Sequence, residues 1–210
     1  MSVKKLVFAT GNEGKMKEIR EILKNLKFEV VSMKEAGVSL DIVEDGKTFG
    51  ENAKIKARAV WELTGGIVLA DDSGLVVDCI HGEPGIYSAR YLGEDTSYEV
   101  KNQNIIDRSA AFTGKERSAR FVCNIAAILP DSSVLHTEET MEGLIADKPS
   151  GNGGFGYDPI LYIPEFGLTA AELSMEQKNK ISHRGKALEA MKEKLVEIFG
   201  EESDESTDCQ

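Results

Sequence analysis

A short apolar run, Val3-Lys-Lys-Leu-Val-Phe-Ala9, ends in the turn Thr10-Gly-Asn-Glu-Gly-Lys15. Behind it Met16, Ile19, Ile22, Leu23 and Leu26 recur at helical spacing. This strand, glycine turn and helix constrain the fold most, because they fix the first unit as a helix laid on a buried strand. The rest of the chain mixes the two periods without strict alternation. Strands are predicted at 28–32, 67–70, 75–80, 119–129, 133–146 and 160–163. Helices are predicted at 48–63, closed by Gly65-Gly66, at 97–108 and at 182–199. Pro130-Asp131-Ser132 turns one strand pair. The expected fold class is α/β with a mixed sheet; strand order does not follow from these patterns.

The chain has 210 residues, which suits one large, bilobed domain over 1–200. Residues 201–210 read as an acidic, disordered tail. No apolar run approaches the roughly 20 residues that span a bilayer, and the N-terminus reads as a strand rather than a signal peptide. Cys79, Cys123 and Cys209 are odd in number and outside any CxxC pattern. That fits a reducing cytoplasm and argues against a disulfide framework or a cysteine zinc site. Net charge is −11, and the last ten residues hold five acids without Lys or Arg, so the body carries −6. Such acidity argues against nucleic-acid polymers and anionic membranes. A small anionic ligand stays open.

Four segments could carry chemistry. Thr10, Gly11, Asn12, Glu13, Gly14 and Lys15 join a strand to a helix, where amides, helix dipole and a lysine suit a phosphate. The glycines are too close for a Walker loop, and alone the segment also reads as a plain helix start capped by Asn12. Asp71-Asp72-Ser73-Gly74 is expected at the end of a buried strand. There two carboxylates could hold Mg²⁺ and activate a water, or simply form a polar turn. Gly151-Asn-Gly-Gly-Phe155-Gly156-Tyr157-Asp158 satisfies GxGxxG literally, but a strand follows it rather than a helix, so dinucleotide binding is rejected. It reads as a glycine arm delivering Phe155 and Tyr157 as a stacking platform, or as a hairpin with both rings in the core. In the fourth segment, Ser182 is the expected cap of the last helix. His183 and Arg184 then crowd its first turn, with Lys178 before them and Lys186 behind. The helix dipole disfavours cations there, so an anion between them is expected.

Together with Thr48-Phe-Gly-Glu-Asn-Ala53 and Pro84-Gly-Ile-Tyr-Ser-Ala-Arg90, these segments resemble the inosine triphosphate pyrophosphatase family (dITP/XTP diphosphatases) from residue 3 to about 199. The resemblance implies an elongated mixed sheet with a cleft between two lobes, usually in a homodimer. It implies hydrolysis of ITP, dITP and XTP to the monophosphate and pyrophosphate with Mg²⁺. Thr10 to Lys15 match the triphosphate segment, Asp72 the proton acceptor and Mg²⁺ ligand, and Ser73 a substrate contact. Phe155, Gly156, Tyr157 and Asp158 match the nucleoside run, and Lys178, His183 and Arg184 match further substrate contacts. Some members carry a metal-binding Glu where this chain has Val43. Glu44 is the nearest acid, and Asp71 and Glu51 are the other candidates for second metal ligand. Lys15, Lys178, His183, Arg184 and Lys186 are expected to converge on one cleft.

Overall fold

The computed structural model describes residues 4–200. Strand β1 (Lys4–Phe8) leads into helix α1 (Glu13–Leu23), then β2 (Phe28–Ser32), α2 (Phe49–Thr64) and β3 (Ile67–Val77). Helix α3 (Tyr98–Ser109) precedes the long hairpin β4 (Ser118–Ile128) and β5 (Val134–Ile145). The short strands β6 (Leu161–Ile163) and β7 (Leu168–Thr169) are followed by α4 (Met175–Ile181) and α5 (His183–Phe199). The seven strands form one sheet in the order β2-β1-β3-β4-β5-β6-β7. β1 runs parallel to β2 and β3, and every pairing beyond β3 is antiparallel. This is the mixed α/β sheet expected.

One correction matters for the site. The predicted strand 67–70 and residues 75–77 of the predicted strand 75–80 are a single strand, β3, which runs unbroken through Asp71-Asp72-Ser73-Gly74, while Asp78–Ile80 form a 3-10 turn. The acids are neither a turn nor a strand terminus. A polar break inside a strand is tolerated here because long β4 pairs with β3 from Val68↔Ile128 to Val77↔Ala119 and satisfies that side of the backbone.

Alternation along β3 sorts its side chains onto two faces. Ile67 and Leu69 join a core beneath α1 and α5, with Phe8, Met16, Ile125, Leu188 and Met191. Leu75 and Val77 join a second core with Ile105 of α3, Phe121, Met141 and Ile160. Asp71 and Ser73 fall between them on the same face. The opposite face carries Val68 and Ala70 against Ala53, Ala57 and Val60 of α2. Asp72 continues that row. The β1–β3 ladder closes at Phe8↔Leu69, so the acids lie beyond the end of β1, where the Thr10–Lys15 turn departs.

Candidate active site

The turn after β1 is built by local hydrogen bonds. Thr10 Oγ1 accepts from the Asn12 amide at 3.2 Å, and Asn12 caps α1 by accepting from the Lys15 amide at 3.1 Å. Gly11, Glu13 and Gly14 are exposed around it. Lys15 reaches across to Asp71, its Nζ lying 3.0 and 2.9 Å from the two carboxylate oxygens.

Asp71 is buried, accepts from Ser73 Oγ at 3.3 Å, and lies 3.4 Å from Arg184 Nε. Burial alone would raise its pKa, but Lys15 and Arg184 overcome this and hold the carboxyl well below the usual range. Asp71 therefore stays ionised and gathers the cations. Arg184 and His183 open α5, whose cap is Ser182, accepting from the Gly185 amide at 3.0 Å. Charge that the dipole disfavours at that end is balanced by Asp71.

The glycine arm supplies a ring. Phe155 is 62% exposed. Lys178 Nζ and the Arg184 guanidinium lie 5.7 and 5.8 Å from its centroid, a cation–π arrangement. Asp158 is buried, accepts from the Phe155 amide at 2.8 Å and from Lys178 Nζ at 2.6 Å, and so closes the arm. Gly154 has φ +71°, and any side chain there would run into the Asp158 carboxylate. Tyr157 does not join Phe155 as a platform. It is buried edge-on to Tyr98, its hydroxyl donating to the Ser88 carbonyl at 2.7 Å. Gly156 is held by Asn102 of α3, which donates to its carbonyl at 3.1 Å. His183 stacks on Phe121 at 5.0 Å and 21°. Burial, then Arg184 and Lys178, push its pKa well below the ordinary value, so the imidazole is neutral. Its Nδ1 is buried without a hydrogen-bond partner among the described residues. Lys186 is a correction: it bonds the Thr140 carbonyl at 3.0 Å on the exposed surface and does not join the other cations.

Asp72 faces α2. Lys56 Nζ lies 3.1 Å from its Oδ1 and 3.0 Å from Glu44 Oε2, so one ammonium bridges both acids. Asn52 Nδ2 donates to Asp72 Oδ2 at 3.2 Å. Burial raises the Asp72 pKa and Glu44 adds to the effect, against the pull of Lys56 and Asn52. Of the three acids considered for second metal ligand, the structure brings Glu44 to Asp72. Asp71 is committed to the other face, and Glu51 accepts from the Lys47 amide at 2.6 Å. Lys56 escaped the sequence reading, and Asn52 stood in a matching stretch without a role. Their signal is the spacing i, i+4 on the buried face of α2, in line with Ala53 and Ala57.

Cys79 and Cys123 are free, and burial pushes the Cys123 thiol up to about 12.

The polar stretch of β3 thus has cations and an open aromatic ring on one side and a lysine-bridged acid pair on the other. Residues 6–194 match the Ham1 family, and the chain belongs to it. It is 44% identical over 203 residues to the dITP/XTP pyrophosphatase of Clostridium perfringens, covering 94% of this chain and 100% of that one. The dITP/XTP pyrophosphatase of Desulforamulus reducens is 46% identical over 195 residues, covering 93% and 97%. Among solved structures, the Staphylococcus aureus Ham1 protein superposes with a TM-score of 0.86 at 40% identity, covering 93% and 100%.

Proposed function

We propose that this chain hydrolyses non-standard purine nucleoside triphosphates (ITP, dITP and XTP) to the monophosphate and pyrophosphate, with Mg²⁺. The observation that carries the reading is the polar break in β3, which sets Lys15, Arg184 and Phe155 on one face and the Asp72–Lys56–Glu44 group on the other. Relatives bearing the dITP/XTP pyrophosphatase name, 44–46% identical over nearly the whole chain, support it. In this reading residues 1–200 act as one two-lobed unit, functioning as a homodimer in the cytoplasm on small nucleotides.

The acid pair fits a divalent cation of one particular kind. Among the described residues no three His, Cys, Asp or Glu are grouped to cage an ion. Mg²⁺ does not need such a cage: it binds through one or two carboxylates together with substrate phosphates. Asp72 and Glu44 would hold it. When bound, Mg²⁺ neutralises phosphate charge and favours attack at phosphorus. Asp72 takes the proton of the attacking water while the new P–O bond forms at the α-phosphorus and the bond to the β-phosphate breaks. Lys56 bridges the two acids and orients them. The amides of the Thr10–Lys15 turn, Lys15 and Lys178 stabilise the leaving pyrophosphate, so catalysis is positioning and charge stabilisation. Phe155 stacks the base. Arg184 or the neutral His183 donates to its 6-oxo group, which adenine lacks.

The test is pyrophosphate release from ITP, XTP, GTP, ATP and dUTP with and without Mg²⁺. ITP and XTP should far exceed GTP, and GTP should exceed ATP. Equal release from ATP and ITP, or binding without Mg²⁺-dependent release, overturns the proposal.

A further inference from the structure

We infer that Asn52 is a positioning residue: its buried amide clasps the turn carrying Glu44 to Asp72 and so sets the separation of the two acids. The inference rests on Asp72 and Glu44 forming the metal pair proposed above. Asn52 is fully buried on α2. Its Oδ1 accepts from the Gly46 amide at 2.9 Å, and its Nδ2 donates to Asp72 Oδ2 at 3.2 Å. Each end of one short side chain thus grips a segment bearing one acid. One helical turn on, Lys56 takes Asp72 Oδ1. α2 therefore holds both carboxylate oxygens from positions i and i+4.

The two grips differ in kind. Lys56 is a cation on a long stem and follows charge wherever the acids sit. Asn52 is neutral, short and enclosed, so it transmits geometry. The turn is built to accept that grip. A Cβ at Gly46 would lie 2.6 Å from Asn52 Oδ1 and 2.9 Å from the Asn52 amide nitrogen, so only glycine lets the turn come this close. The Glu51 carboxylate, accepting from Lys47, docks the next residue of the turn on the same helix end. Carboxylates that bind a metal depend on such outer hydrogen bonds for their orientation.

Two variants break the clasp from opposite sides. Asn52→Leu keeps the side-chain size and removes both hydrogen bonds. Gly46→Ala leaves Asn52 in place and pushes its partner away; the Gly46 backbone is outside the left-handed region, so alanine itself is not strained there. Mn²⁺ binding to each protein with an α,β-imido nucleotide, followed by electron paramagnetic resonance, reports on the acid pair without turnover. Both variants should weaken Mn²⁺ binding about 10–100-fold. They should raise the Mg²⁺ needed for half-maximal dITP hydrolysis in parallel, with a far smaller change in nucleotide KM. If Asn52→Leu does not fold, Gly46→Ala decides. A folded variant with wild-type Mn²⁺ affinity overturns the inference. So does a loss shared equally by metal affinity and nucleotide KM, which marks collapse of the whole cleft. Wild-type protein releasing no pyrophosphate from dITP overturns the proposed function instead, and the Mn²⁺ titration still judges Asn52.

Discussion

Asp71 and Asp72 are neighbours with opposite fates. Asp71 sits between Lys15 and Arg184, is held ionised, and organises cations. Asp72 has a raised pKa and shares Lys56 with a second acid. Asp72→Asn should abolish turnover while nucleotide binding persists, as measured by pyrophosphate release and by titration calorimetry. Asp71→Asn should cost about 3 kcal/mol of unfolding free energy, since it removes the buried charge that faces Lys15. The sign with pH follows from its depressed folded pKa. The Asp71 contribution is complete above the ordinary carboxylate value of about 3.9 and fades as pH falls through the folded value. Denaturant unfolding of wild type and variant should show a constant gap from about pH 5 to 8 that narrows below about pH 4. Both acids were legible in the sequence, but their separation onto two faces was not. A turn and a strand interior share the string Asp-Asp-Ser-Gly, and only the pairing with β4 distinguishes them. Lys56 was illegible for another reason: a lone lysine on a helix ordinarily marks a solvated face, whereas here its side chain is 14% exposed.

Among the elements, the two ends read correctly from local chemistry. Asn12 and Ser182 cap α1 and α5 as their positions suggested. The glycine arm was half legible. Its composition announced an irregular loop with aromatics, yet which ring faces outward depends on α3, where Tyr98 and Asn102 trap Tyr157 and Gly156. Nothing local encodes that contact. Phe155→Ala should raise KM for ITP about 5–150-fold, the worth of one base–aromatic stack, with kcat little changed in steady-state kinetics. Gly154→Ala should raise KM as well, because a methyl group there evicts Asp158 from its bonds to the Phe155 amide and Lys178.

Across the whole molecule, two cores on one face of the sheet are parted by a two-residue polar gap in β3, and the charge pattern follows from that division. The acidity of the chain coexists with a local cationic site because Lys15, Lys178 and Arg184 are drawn in by Asp71 and Asp158. Of the cations expected to converge, Lys15, Lys178 and Arg184 gather around these acids, whereas Lys186 lies outside and the His183 imidazole is neutral. Inorganic triphosphate should therefore compete with ITP in the pyrophosphate assay, whereas duplex DNA at equal phosphate concentration should not, since the body carries a net charge of −6.

The unbroken passage of β3 through the gap also makes the site a matter of phase. A strand alternates sides with every residue, so inserting one residue between Ile67 and Asp71 would turn Asp71 toward Lys56 and Asp72 toward Lys15. Composition, length and local propensity would be almost unchanged, yet the acid that gathers cations and the acid bridged to Glu44 would have exchanged addresses. The interval from Ile67 to Asp72 therefore decides which acid faces which side of the sheet.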